Sequence, residues 1–166
     1  MKTIVLSKFQ TVRSQITSTK ILHVTEILFI TFPLLFLGLL GLISWHSDAD
    51  IMEPVRLNPV YSLYFILFLS FFFCAFIVKY MKKSVAIKQS QDILKITALA
   101  LILTQLFTMN LICGWLLLWF VKKEYGIGVF RISWQGLKKA TQKWILLFSG
   151  YTLLVSFFVC VIRFSL

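Results

Sequence analysis

Chemistry inside an apolar segment needs ionisable or metal-binding side chains, and this chain has few of them in such positions. His23 and Glu26 lie near the start of the first apolar run, just after Lys20. Their spacing of three residues puts them on one face of a helix, where they can pair. Ionisable groups deep in a membrane are costly and point to function. These two are expected at headgroup level, so we interpret them as an interfacial pair rather than a proton relay.

Other patterns of catalytic or ligating residues are weak. His46, Asp48, Asp50 and Glu53 lie together after the first run but match no calcium-binding loop, and control of topology explains them better. The sequence has no HExxH, GxSxG or P-loop motif. The three cysteines lie inside apolar runs, without a CxxC pair or a neighbouring histidine: Cys74, Cys113 and Cys160. We therefore expect a protein that is not an enzyme and that has no cofactor and no metal site.

The third apolar run carries a polar stripe. Thr97, Thr104 and Thr108 recur at steps of seven and four residues, with Gln105 and Asn110 beside them. Such side chains form hydrogen bonds between membrane helices, each worth about 0.6–2 kcal/mol. Either they pack the helices of one chain together, or they line a contact or a pore shared between subunits.

Small residues form a ridge on the first run. Gly38, Gly41 and Ser44 recur at three-residue steps. Small side chains allow helices to approach closely. Like the polar stripe, this ridge has two possible roles: it packs helices within one chain, or it forms a contact between subunits.

The composition indicates that most of the protein surface faces lipid rather than water. Of the 166 residues, 59% are hydrophobic and 14% are charged, whereas soluble domains have about 45–50% and about 25%. The net charge is +11, which nucleic-acid binding could also explain. Because the basic residues flank the apolar runs, we expect them to contact anionic lipid headgroups, not nucleic acid.

Four apolar runs are long enough to cross a bilayer, which needs about 20 residues. They cover residues 21–45, 60–80, 96–121 and 144–162 of a single membrane domain. The expected fold is an all-α integral membrane protein with four membrane-inserted helical segments. No window alternates as a membrane β-barrel would.

The third run, 96–121, has two possible conformations. A straight, tilted helix fits its length, and the chain then crosses the membrane four times. A re-entrant hairpin fits the positive-inside rule better, because fifteen of the 17 basic residues then share the cytoplasmic side with the N-terminus. The polar centre of the run is compatible with such a turn.

Two basic amphipathic segments flank the spans. In the tail, residues 1–20, an apolar seam faces away from Lys8 and Arg13. It either lies on the membrane surface or packs on the protein's own loops. The second segment covers residues 129–144, between the third and fourth apolar runs. It is either a helix that docks on lipid or on a partner protein, or simply a connecting loop. Its candidate docking residues are Arg131, Trp134, Lys138, Lys139 and Lys143.

The expected function follows from two features of the sequence. Few side chains could take part in catalysis, and few residues lie outside the predicted membrane segments. We expect a multi-pass subunit that works through protein contacts as an anchor, sensor or regulator, such as an accessory subunit or an immunity or defence component. The alternative is a homo-oligomeric pore, followed by a small transporter or lipid-handling enzyme. Expected partners are lipids and a second copy or another protein. The expected location is a cell membrane, such as a bacterial inner membrane.

Overall fold

The computed structural model describes residues 2–47, 50–87, 91–133 and 144–165. Of the residues that the structure describes, 92% are helical and none forms a strand. The prediction of an all-helical protein is confirmed. The helices are α1 (Lys2–Ser47), α2 (Glu53–Leu57), α3 (Pro59–Ile87), α4 (Gln91–Phe107), α5 (Leu111–Glu124) and α6 (Trp144–Ser165), with a 3₁₀ helix at Gly126–Phe130 between α5 and α6.

Three helical stretches are long and apolar enough to cross a membrane: Ser18–Ser47 of α1, Pro59–Ile87 and Trp144–Ser165. They cover the first, second and fourth apolar runs. The tail predicted as a separate amphipathic segment continues directly into α1, because the helix begins at Lys2. The third run is not among the candidate spans.

The third run forms two helices joined by a tight turn. α4 ends at Phe107, and Met109 has a φ of 55°, a left-handed conformation that a helix does not contain. Asn110 then caps α5 by accepting a hydrogen bond from the backbone of Cys113. A Cβ on Gly114 would lie 3.5 Å from Cβ of Gln105, so α5 runs back along α4. The sequence was compatible with either a straight helix or a hairpin for the third run, and the structure has the hairpin.

The hairpin closes a ring of five helices. α1 packs on α3, α3 on α6, α6 on α4, α4 on α5, and α5 returns to α1. Side chains from all five helices fill the interior and are fully buried, among them Leu22, Met81, Leu101, Leu117 and Ile145. The ring therefore encloses a packed core.

α1 packs on α3 through one stripe of side chains. Leu22, Phe29, Phe36 and Leu40 are buried at steps of seven, seven and four residues, while the opposite face of α1 is apolar and exposed. Phe36 stacks on Phe68 of α3, with ring centroids 4.6 Å apart. An aromatic pair of this kind adds about 0.5–1.5 kcal/mol. In a bilayer, where lipid is as apolar as these side chains, such packing would hold the helices together.

The two ends of the bundle carry different charged residues, with lysines at one end and arginines together with Asp50 and Glu53 at the other. At one end, here called the basic end, lie Lys82 of α3, Lys95 of α4 and Lys122 of α5. At the other, here called the far end, lie α2, the first turns of α3 and the last turns of α6, with Arg56 and Arg163.

Candidate functional site

The predicted polar stripe lies inside the ring. Thr97, Thr104 and Gln105 are all fully buried. The neighbouring helix α6 buries a second polar stripe, which was not predicted from the sequence: Ser149, Thr152 and Ser156. Their spacing of three and four residues was a readable signal. The structure brings polar side chains of two neighbouring helices into the core of a single chain.

Most of these hydroxyl groups bond to the backbone of their own helix. Thr104 Oγ1 donates to the carbonyl oxygen of Ala100 at 2.9 Å, and Thr108 Oγ1 donates to that of Gln105 at 3.2 Å. Thr152 Oγ1 donates to the carbonyl oxygen of Ser149 at 3.0 Å. These bonds satisfy a hydroxyl donor without a second helix, so they give no cohesion between subunits.

Some buried polar groups have no hydrogen-bond partner among the described residues: Thr97 Oγ1 and Ser156 Oγ each lack one, and Gln105 leaves two atoms unpaired. Neither Nε2 nor Oε1 of its amide has a hydrogen-bond partner among the described residues. The Nδ2 atom of Asn110 at the hairpin turn also lacks one there, whereas its Oδ1 caps α5. Buried amides usually are hydrogen-bonded, so Gln105 is a point of weakness within the hairpin.

The small-residue ridge of α1 divides between the inside and the outside of the bundle. Ser44 is buried, and its Oγ donates to the carbonyl oxygen of Asp50 at 3.2 Å. Gly38 is exposed and Gly41 is half-buried, and no atom lies within 4 Å of a Cβ built on either. The two glycines thus leave an open face on the half of α1 nearest the far end.

An ion pair joins α1 to α3 at the basic end. Lys82 Nζ lies 2.5 Å from Glu26 Oε2, and only 13% of the Glu26 side chain is exposed. His23 Nδ1 lies 3.7 Å from the same carboxylate oxygen. The predicted pair of His23 and Glu26 therefore includes a third member. Lys82 is 56 residues away along the chain, so no local spacing could have identified it.

Lys95 fixes the chain that follows α5. Its Nζ donates to the carbonyl oxygen of Arg131 at 2.9 Å, lies 3.4 Å from Asp92 Oδ1 and sits 5.9 Å from the centre of the Tyr125 ring. Burial, with the charge of Glu124 next to it, raises the pKa of the Tyr125 hydroxyl. The 3₁₀ helix is thus held against α4.

The predicted docking residues are only partly described. Arg131 is exposed, and its carbonyl oxygen binds Lys95. Four others lie outside the described residues: Trp134, Lys138, Lys139 and Lys143. The backbones of Lys8 and Arg13 belong to α1, while their side chains lie outside what the structure describes.

An aromatic face of α5 is exposed. Trp115, Leu118, Trp119 and Lys122 line a shallow groove of about 470 Å³, and Trp115 is 72% exposed. Tryptophan beside a terminal lysine is typical of a helix at a membrane–water boundary.

A more enclosed cavity of about 310 Å³ lies at the far end, between α3, the hairpin turn and α6. Its walls are mainly apolar, and Tyr64, Thr108, Cys160 and Arg163 are its polar lining residues. This cavity could not be predicted from the sequence, because its residues come from three segments that no spacing relates.

The acidic residues after α1 form no evident cation site. Asp50 Oδ2 lies 4.0 Å from Arg56 Nη2, and Asp48 lies outside the described residues. Within the described part of the chain, no cluster of three or more histidine, cysteine, aspartate or glutamate residues could hold a metal ion.

Comparisons with protein-family models, with curated proteins and with solved structures found no match for this chain.

Proposed function

We propose that this chain is a small multi-pass membrane subunit that acts through protein contacts, as an anchor, sensor or regulator beside a partner. It works in a cell membrane, such as a bacterial inner membrane. The partner is a second copy or another membrane protein, and anionic lipid headgroups contact its basic end.

In the proposed topology, α1, α3 and α6 cross the membrane and the α4–α5 hairpin enters and leaves on one side. The 17 residues of α4 span about 25 Å at 1.5 Å per residue, less than the ~30 Å hydrocarbon core. The hairpin's ends, Lys95 and Lys122, then share the cytoplasmic side with the N-terminus, as the positive-inside rule requires. The backbone N–H groups of Thr108, Met109 and Asn110 donate to carbonyl oxygens of α4, so the turn meets the requirement that backbone polar groups at depth be satisfied within the protein.

The open face of α1 supports this function most directly. No atom of a neighbouring element lies within 4 Å of a Cβ built on Gly38 or Gly41. Around them the exposed side chains are large and apolar, including Leu34 at 55%, Leu42 at 74% and Trp45 at 87% exposure. A partner helix can approach the glycine backbone closely and pack between these side chains. This surface can make an interhelical contact that the chain itself leaves unmade.

The pore alternative loses its main support. A shared pore needs polar side chains on the outer surface of each subunit, yet Thr97, Thr104 and Gln105 are fully buried within one chain. A packed core also fills the ring, with Met81 and Leu117 fully buried. We therefore prefer the protein-contact function.

The test is purification of the tagged chain from its native host in mild detergent, with mass spectrometry of the proteins that stay bound. The Gly38→Leu/Gly41→Leu variant should lose a stoichiometric partner or second copy that the parent retains, because leucine holds the helices apart. Gly150→Leu is the matched control, since Gly150 of α6 is also exposed and has no atom within 4 Å of a built Cβ. Retention of the partner by the double variant, or a parent that purifies as a lone monomer, would contradict the proposal.

A further inference from the structure

The cavity at the far end exists because the hairpin is shorter than the helices beside it. α4 has 17 residues and α3 has 29, which correspond to about 25 Å and about 44 Å of helix. The hairpin turn therefore stops below the far end, and Phe107 and Thr108 bound the space that the hairpin leaves. The first turns of α3 and the last turns of α6 form the remaining walls.

The chemistry of this cavity is that of an amphiphile site. Leu63, Leu67 and Val159 line it with apolar surface, and Tyr64 adds a hydroxyl group. Arg163 lies at the exposed end of α6, so its guanidinium group can reach both water and the cavity. Ligand sites of about 300–1,000 Å³ typically combine apolar walls with a few polar groups, and about 310 Å³ is at the lower limit of that range.

Among the described residues, the two arginines of the far end differ in their ion pairing. Of the two arginines at the far end, Arg56 lies 4.0 Å from the carboxylate of Asp50. No carboxylate in the described part of the chain lies within ion-pairing distance of Arg163. A guanidinium group binds a carboxylate through two parallel N–H···O bonds, and it does so best at a site that is partly shielded from water.

We propose that this cavity binds one long-chain fatty acid, with its carboxylate on Arg163 and its hydrocarbon chain between α3, α6 and the hairpin turn. The small volume favours a single-chain ligand over a two-chain phospholipid. This inference goes beyond the proposed function and does not depend on it, because binding can be measured on the isolated chain without a protein partner.

The experiment measures binding of tritiated oleate to the full chain in phosphatidylcholine nanodiscs, with empty nanodiscs as the background. Loss of a charge-assisted hydrogen bond typically weakens binding about tenfold or more. Arg163→Gln should therefore weaken oleate binding at least tenfold. The matched control Arg56→Gln, which removes the paired arginine of the same end, should leave it unchanged. Leu63→Trp should abolish binding by filling the cavity while Arg163 stays in place.

Two competitors identify the headgroup. Oleyl alcohol should displace oleate at least tenfold less well than unlabelled oleate does, because it lacks the carboxylate. A lysophosphatidate should compete more weakly than oleate, and stronger competition would overturn the assignment to a fatty acid. The proposal is also overturned if the parent binds no oleate above background, if Arg56→Gln weakens binding as much as Arg163→Gln, or if Leu63→Trp binds as the parent does.

Discussion

Replacing Gln105 with leucine should stabilise the folded chain. The side chain of Gln105 is fully buried, and neither of its amide atoms has a partner among the described residues. A buried polar group without a hydrogen bond costs about 1–3 kcal/mol. Leucine keeps roughly the volume of the side chain and removes both polar atoms, at a repacking cost of less than about 1.5 kcal/mol.

The expected gain is about 1 kcal/mol. This value lies at the lower end of the range of about 1–3 kcal/mol. In a membrane the unfolded chain also lacks water as a hydrogen-bond partner, so the cost of the unpaired amide differs less between the folded and unfolded states. Gln105→Ala is the comparison, because it removes the same polar atoms but leaves a cavity beside Gly114, whose built Cβ lies 3.5 Å from Gln105 Cβ. That cavity destabilises the folded state and offsets the gain.

Two buried thiols provide the assay. Cys74 and Cys113 are free and buried, whereas Cys160 is half-buried. In a Cys160→Ser background, a thiol-reactive fluorophore therefore reports unfolding of the detergent-solubilised chain as temperature rises. The midpoint for Gln105→Leu should lie above that of the parent, and Gln105→Ala should lie below Gln105→Leu. A midpoint for Gln105→Leu below the parent would refute the reasoning, because it would mean that the amide makes a stabilising hydrogen bond.

Two further predictions concern the basic end and the topology. Because Lys82 Nζ lies 2.5 Å from a Glu26 carboxylate that is 13% exposed, Glu26→Gln and Lys82→Met should each lower the unfolding midpoint in the same assay. The double variant should lose less than the two losses added together, with a coupling energy of about 1 kcal/mol; additive losses would contradict the pairing. Three crossings and a re-entrant hairpin place the two termini on opposite sides of the membrane, so reporters fused to each terminus should report opposite sides. Reporters on the same side would contradict this topology, because they would require an even number of crossings, such as four with the third run as a single straight span.

Several features could be predicted from the sequence because they depend on local composition and spacing. Runs of about 20 apolar residues at 1.5 Å rise per residue predict long apolar helices, and α1, α3 and α6 are such helices. The polar centre from Thr104 to Asn110 marked the place where the third run turns. The spacing of His23 and Glu26 likewise predicted their proximity, and their side chains lie 3.7 Å apart.

The candidate sites could be predicted only in part. Spacing placed Thr97 and Thr104 on one face of a helix, but the helix that covers this face is determined by packing. Gly38 and Ser44 have the same ridge spacing, yet one is exposed and the other is buried. A small side chain allows close approach from any neighbour, so residue type alone does not decide whether that neighbour belongs to the same chain.

The sequence by itself determined that this chain is helical, apolar and basic at the flanks of its apolar runs, because hydrophobic runs and flanking charges act within a few turns of one helix. Only the tertiary structure decided that the third run folds back at Met109, that Lys82 reaches Glu26 and that the hairpin ends below Arg163. These three features depend on contacts between residues far apart in the chain. Such contacts form only when whole helices pack, and the short hairpin then leaves the cavity at the far end.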